Sequence, residues 1–394
     1  MFLFFLDDIL NVNTQNYHEL KLAFLISILS TGITLVTFAL AGINQGLLNS
    51  KDVALSYISS NIIFFVVNII LLKLNMGLLS IAIANLIRAI YLTLYNVITI
   101  FKTTKKQEQL ISFNSNHFKK FIRVFSYTSI SKIITSFANS MDLIALTRFL
   151  PPQMITLFEI NRRPIKMLQG LVGRYSVALM PGMSNSFGHD KNITRLNITK
   201  QFNIYFILAL GFTCLSILCY KQLISLWIDE TKYAGEYVML LLVLNFFFGL
   251  IGYFMSNMTY ALGDIKNNSL INAIKGIIFI IIIPIGAKFN GIVGVLFVSL
   301  VFTVFFDFFY FTYRLFKLEY INLCLINIIK WVKYILIAIF ILLIAHFIIL
   351  QLNMRSVFFI LFLKASIFVI LFALSILFID ENFRYFIFKN TKKT

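Results

Sequence analysis

Between Met141 and Ser184 the chain reads Met141-Asp142-Leu143, then Thr147-Arg148-Phe149-Leu150-Pro151-Pro152, then Glu159-Ile160-Asn161-Arg162-Arg163-Pro164-Ile165-Lys166, and closes on Gly170, Gly173-Arg174 and Pro181-Gly182. Long runs of Ile, Leu and Phe flank it on both sides. The charges do not sit in a loop between apolar runs. They recur inside two stretches, 121–149 and 154–182, each long enough to span a bilayer core, which takes about 20 residues. A charge at the middle of a bilayer costs roughly 2.5–3.5 kcal/mol on insertion scales, so a stripe of them must face protein or a water-filled cavity.

Composition sets the frame for that reading. The chain is 59% hydrophobic and 13% charged, against about 25% charged residues in a soluble domain. An all-α polytopic membrane protein follows, and its apolar runs are too long and too unalternating for barrel strands. The net charge of +18 is divided among short loops, as in cytoplasmic connections under the positive-inside rule, where it also suits anionic lipid headgroups. No basic domain exists to hold nucleic acid. Cys214, Cys219 and Cys324 lie in or beside apolar runs and form no disulfide framework. His18, His117, His189 and His346 have no metal-ligand spacing, and no phosphate-cradling glycine loop or Ser/His/Asp set appears. Met1 to Phe5 are apolar but lack a preceding basic region and run into Asp7-Asp8, unlike a signal peptide.

Eleven spans are expected, at about 22–42, 53–73, 77–101, 121–149, 154–182, 203–227, 236–262, 268–288, 291–315, 329–350 and 356–379. Lys102, Lys105, Lys106, Lys119, Lys120 and Arg123 mark one connection as cytoplasmic, and Lys191, Arg195 and Lys200 mark the next but one. Arg314, Lys317, Lys330 and Lys333, then Arg384, Lys389, Lys392 and Lys393, continue the alternation, which puts the N-terminus outside.

A repeat bears on that unusual start. Thr37-Phe38-Ala39-Leu40-Ala41 matches Thr259-Tyr260-Ala261-Leu262-Gly263, and Asn75-Met76-Gly77-Leu78 matches Asn290-Gly291-Ile292-Val293. The first three spans thus read as a parallel copy of the seventh to ninth. The expected organisation is a partial N-terminal bundle of three helices (1–117), a six-helix C-terminal bundle (118–317), and two extra helices with a basic cytoplasmic tail (318–394). Three spanning segments are then expected upstream of Met1, in the plan of two six-helix halves used by many transporters.

The chemistry-bearing residues fall on helical faces. Lys132, Thr135, Asn139 and Asp142 share one face of the stretch 121–149, and Glu159, Arg163, Lys166, Gly170 and Arg174 share one face of 154–182, with Arg162 at its edge. Arg88 with Asn85 interrupts the third span, Asp307 is the acidic residue deep in the ninth, and Lys275 lies two turns inside the eighth. Two readings stay open for each. The functional reading has Arg88, Arg162, Arg163, Lys166 and Arg174 holding an anionic substrate, with Asp142, Glu159 and Asp307 as charge partners or as sites of H⁺ or Na⁺ coupling. The plainer reading has Arg162 and Arg163 pairing with Glu159 and Asp142 as interhelical glue, Arg148 snorkelling to headgroups, and Pro164 and Pro181 bending their helix.

From Leu20 to Phe316 the chain resembles the polysaccharide exporters, and most of all the O-antigen (Wzx-type) flippases, of the superfamily that also holds MATE multidrug exporters and lipid II flippases. The resemblance rests on Gly42-Ile43-Asn44-Gln45-Gly46-Leu47, on Asn75-Met76-Gly77-Leu78-Leu79-Ser80-Ile81-Ala82, on Asn139-Ser140-Met141-Asp142-Leu143, on Arg174 and on Ala178-Leu179-Met180-Pro181. It implies a two-bundle fold in the bacterial cytoplasmic membrane that works by alternating access without a cofactor. The implied cargo is an undecaprenyl-diphosphate-linked oligosaccharide, moved by an ion gradient, with membrane lipids and the polysaccharide polymerase machinery as partners. The chain departs from the family pattern in lacking the first three helices. Rival readings are a MATE-like drug exporter, whose cavity should favour cations through carboxylates, an integral-membrane polymerase or ligase, which usually carries one long external loop, and a truncated inactive remnant.

Overall fold

The structure is a computed structural model, and it describes residues 17–47, 49–107, 115–187, 190–318, 325–351 and 356–379. The acidic N-terminal stretch, the basic C-terminal tail and Cys324 lie outside the described residues. Those described are helical almost throughout: α1 (Tyr17–Gly46), α2 (Ser50–Lys73), α3 (Gly77–Gln107), α4 (Ser115–Phe149), α5 (Pro152–Phe187), α6 (Lys191–Trp227), α7 (Glu236–Ala261), α8 (Ile265–Phe302), a π-helical segment (Thr303–Tyr310), α9 (Phe311–Lys317), α10 (Leu325–Gln351) and α11 (Val357–Ile379). Among these residues, seven helical runs are long and apolar enough to cross a membrane, and α4 and α5 are as long but carry the charged faces. The protein is an all-α polytopic membrane protein.

The eleven expected spans all correspond to helix, with one difference in kind. Spans eight and nine form a single run from Ile265 to Lys317. It nevertheless folds back on itself. Asn290 and Gly291 leave helical geometry, Gly291 at φ +53°, and a Cβ on Gly286 would lie 2.9 Å from the carbonyl oxygen of Gly294. Eight residues along a straight helix span about 12 Å, so this approach requires a tight reversal, which glycine at all three positions permits. The turn between α2 and α3 has the same character, with Asn75 at φ +56° and Gly77 at φ +47°. The two Asn/Gly motifs read as a repeat are therefore both helix-reversing turns.

Contacts divide the chain into two compact units, Met1–Asn114 and Ser115–Thr394. In the first unit α3 packs against both α1 and α2. Polar groups stitch α1 and the turn after it to α3: Thr37 and Thr93 hydroxyls are 2.7 Å apart, Asn44 Nδ2 donates to Asn96 Oδ1 at 2.9 Å, and Asn49 Nδ2 of the turn donates to Thr103 Oγ1 at 2.8 Å. Interhelical hydrogen bonds of this kind replace the hydrophobic drive that lipid cannot supply.

The second unit packs α5, α6 and α7 around an aromatic core that includes Tyr205, Phe246 and Phe254, all essentially inaccessible. The N-cap Asp190 starts α6 by accepting from the amides of Asn192 and Ile193. Helices α10 and α11 dock on α6: Trp331 Nε1 donates to Asn203 Oδ1 at 2.9 Å, and the Phe372 ring lies 2.7 Å from where a Gly211 Cβ would be. Helix α5 continues through Pro164 and Pro181 rather than ending at either.

Candidate functional site: a basic cavity in the second unit

The second unit has an open cavity of about 920 Å³ between α4, α5, α7, α8 and the π segment. Each wall reflects its sequence. Helix α4 contributes Lys132, Thr135, Asn139 and Asp142, the polar face read from their spacing. Helix α5 contributes Arg162, Lys166, Gly170 and Arg174. Helix α7 adds Asn245, Gly249, Gly252 and Asn257, α8 adds Asn268, Asn272 and Lys275, and the π segment adds Asp307. Five cations (Lys132, Arg162, Lys166, Arg174 and Lys275) meet two carboxylates (Asp142 and Asp307) on this surface, a net of three positive charges.

The cations divide into two kinds. Arg162, 7% exposed, is ion-paired to Asp142 of α4 and to Glu159 one turn back on α5. Its guanidinium carbon also lies 4.9 Å from the Phe158 ring centroid, a cation–π distance. Lys275 is likewise matched, Nζ to Asp307 Oδ2 at 2.5 Å. Lys132, Lys166 and Arg174 have no ion pair among the described residues, and all three side chains are exposed to the cavity. Matched cations hold helices together; unmatched ones leave charge for a ligand.

Close backbone approaches fix the cavity's shape. A Cβ on Gly252 would stand 2.4 Å from Asp307 Cβ, so α7 lies directly against the π segment at the ion pair. A Cβ on Gly276 would meet Ile134 at 2.7 Å, which sets α8 against α4. Amides complete the frame. Asn257 Nδ2 donates to Ser176 Oγ at 2.8 Å, Asn245 Nδ2 to the Leu296 carbonyl at 3.1 Å, and Asn268 Nδ2 to Thr259 Oγ1 at 2.9 Å. At one end, Asn161 ties α5 to the turn before α7, donating to the Lys232 carbonyl at 2.8 Å and accepting from the Ala234 amide at 3.2 Å.

The structure sorts the sequence-predicted residues unevenly. It brings together Asp142, Arg162, Lys166, Arg174 and Asp307 on one cavity wall or another, with Glu159 behind Arg162. Arg163, expected on the stripe, is exposed and absent from the cavity lining, whereas Arg162, expected at the edge, is buried and lines the cavity. Neighbours on a helix point about 100° apart, so a rotation of α5 by about that much separates the expected placement from the observed one. Arg88 lies in the first unit, in a pocket of its own. The α8 asparagines Asn268 and Asn272 are contributors that the sequence reading did not select. Among the described residues no cluster of His, Cys, Asp and Glu is suited to hold a metal ion.

No family model and no curated protein matches this chain. Among solved structures it is similar to a chain described as "Lipid II flippase MurJ, inward closed conformation", with a TM-score of 0.64 at 18% sequence identity, over 95% of this chain and 79% of that one. The chain has a MurJ-like fold. At that identity the likeness is one of fold, and the charged cavity belongs to this chain's own residues.

Proposed function

We propose that the protein flips a lipid-linked oligosaccharide, carried on a polyprenyl diphosphate, across the bacterial cytoplasmic membrane for O-antigen or another cell-surface polysaccharide. The observation that carries this reading is the pairing pattern in the cavity. Arg162 and Lys275 are neutralised by carboxylates, whereas Lys132 of α4 and Lys166 and Arg174 of α5 are without an ion pair among the described residues in a space of about 920 Å³. A guanidinium fork and an ammonium on one helix suit the oxygens of a diphosphate. The asparagine amides and threonine hydroxyls around them suit sugar hydroxyls. The solved structure of similar fold is itself described as a lipid II flippase, a protein named for a lipid-linked cargo.

Transport would then proceed by alternating access, with Asp142, Glu159 and Asp307 as the carboxylates available for proton or Na⁺ coupling. A drug exporter for cations fits less well, because a cation entering the cavity meets a net positive wall. The test is a flipping assay in proteoliposomes with a fluorescent undecaprenyl-diphosphate oligosaccharide. Lys166→Ala with Arg174→Ala should abolish flipping while the thermal midpoint stays put. Undiminished flipping by the double variant overturns the assignment.

A further inference from the structure

Helix α7 packs against α5, α6, α8 and the π segment, yet its Tyr253 is 44% exposed and lines the large cavity beside Gly173 and Arg174 of α5. The ring meets α5 with one edge. A Cβ on Gly173 would lie 3.2 Å from the ring's Cε1 and 3.4 Å from its Cδ1, with no other ring carbon within 4 Å. A ring laid flat there would bring most of its carbons that close, so the faces of Tyr253 are not used up on α5. Nor does the aromatic core use them. Phe254, the next residue, packs against Phe202 and Tyr205 with centroids 5.5 and 4.9 Å away, whereas Tyr253 pairs with no ring among the described residues. A hydrogen-bond relay fixes its setting: Asn257, one turn on, donates from Nδ2 to Ser176 Oγ at 2.8 Å, and that hydroxyl donates to the Gly173 carbonyl at 2.9 Å.

An aromatic face is negative at its centre and positive around its edge, and three kinds of group can cover it. A cation is drawn to such a face, but here it meets a net positive wall, with Arg174 directly after Gly173. An acyl chain fills the space but strips water from the Asn257 and Asn272 amides and the Ser256 hydroxyl, which line the same cavity, and each polar group left unpaired is costly. A pyranose answers both parts of the wall. The C–H groups of one sugar face, polarised by the neighbouring oxygens, lie on the aromatic ring, and the hydroxyls at the sugar's rim reach the amides. We infer that Tyr253 is a stacking platform for the sugar joined directly to the diphosphate. The inference rests on the flippase reading, in which Lys166 and Arg174 take the diphosphate, because Arg174 adjoins the glycine that the Tyr253 edge touches.

The experiment uses the full chain in lipid, free of glycosidic detergent. In proteoliposomes carrying a fluorescent undecaprenyl-diphosphate oligosaccharide, Tyr253→Leu should raise the half-saturating cargo concentration about tenfold and leave the thermal midpoint in place. Tyr253→Phe, which keeps the aromatic face, should stay within about threefold of the parent. Equal loss in both variants, or no loss in Tyr253→Leu, overturns the inference. In nanodiscs, Tyr253→Trp adds an emission to those of Trp227 and Trp331, read as a difference from the parent, and this readout also serves if Tyr253→Leu fails to fold. At least one of glucose 1-phosphate, galactose 1-phosphate and N-acetylglucosamine 1-phosphate should shift that emission, while inorganic phosphate should displace the sugar phosphate and shift nothing alone. An emission that answers to inorganic phosphate as strongly as to the sugar phosphates, or to none of the four, also overturns the inference. A sugar-phosphate shift in a protein that flips no lipid-linked oligosaccharide refutes the flippase reading and leaves the platform standing. Normal flipping by Tyr253→Leu does the reverse.

Discussion

Lys275 Nζ lies 2.5 Å from Asp307 Oδ2, and the backbone of Gly252 is pressed directly behind that aspartate. The ion pair thus joins α8 to the π segment at the place where α7 permits no side chain. Removing one partner of a fully buried pair costs about 3–5 kcal/mol, whereas replacing both by apolar groups of similar volume is often neutral. These side chains are 25% and 21% exposed, so Asp307→Leu alone should destabilise by a smaller amount, about 2 kcal/mol after screening. Lys275→Met with Asp307→Leu should recover most of it. Thermal unfolding of the four proteins of this cycle in one detergent measures the coupling, and additive single effects would contradict it.

Gly252→Ala is expected to be costly for a different reason. Its methyl would sit 2.4 Å from Asp307 Cβ and 2.9 Å from the Asp307 carbonyl oxygen, atoms with no rotamer in which to escape. Overpacking of this kind costs about 1–3 kcal/mol. Gly170→Ala on the cavity side of α5 meets nothing within 4 Å and should leave the thermal midpoint unchanged or raise it, since alanine favours helix.

Arg162 and Arg174 should part company when each is replaced by alanine. Loss of Arg162 strands Asp142 and Glu159, so the protein should lose about 2 kcal/mol or more of stability. Loss of Arg174 strands nothing and should spare stability while lowering flipping at least tenfold, a change of about 1.4 kcal/mol. Midpoints and transport rates measured on the same preparations separate the two roles. A shared phenotype would mean that both arginines are structural.

Asn161→Ala should loosen the turn before α7, which it holds at both Lys232 and Ala234. The unpaired Lys232 carbonyl and Ala234 amide face that loss together, at about 1–2 kcal/mol. Hydrogen exchange of the Ala234 amide should accelerate selectively. Protection equal to the parent protein's would show that the contact adds nothing.

The same turn carries a pH signature at its exposed end. The Thr231 backbone amide, with its side-chain hydroxyl, holds the Asp229 carboxyl below the usual carboxylate range. A carboxyl lowered on folding stabilises the turn above its unfolded pKa, and that contribution disappears as pH falls through the lowered folded value. The Thr231 amide should therefore stay protected at neutral pH and lose protection in acid. Asp229→Ala should remove the pH dependence.

Much of this architecture was legible in composition and period, because a span is a long-range sum in which single residues hardly matter. The polar face of α4 was legible too, since Lys132, Thr135, Asn139 and Asp142 recur every three to four residues and all four reach the cavity. Distinguishing Arg162 from Arg163 was not, because the helix rotation that separates them is set by packing against α7 and α6. The threonines of α1 are less legible for another reason: scattered hydroxyls barely lower the hydropathy of an apolar run, and only the fold shows that Thr31, Thr34 and Thr37 line the same pocket as Arg88. The reversal at Asn290–Gly291 was expected from a motif, but the wide turns that follow it left no mark in the sequence.

Those wide turns, Thr303–Tyr310, have a consequence for length variation. A π turn accommodates one residue more than an α turn, so the segment behaves as an insertion absorbed without a loop. Beyond it, Arg314 of α9 reaches Asp264 at the start of α8, its Nη2 3.0 Å from Oδ1. Deleting a single residue between 303 and 310 should therefore restore ordinary winding without turning α9, so that Arg314 keeps its aspartate, whereas the same deletion in an α-helical stretch would swing everything downstream by about 100°. A one-codon change inside this membrane helix would be taken up where it falls and leave the far end in place.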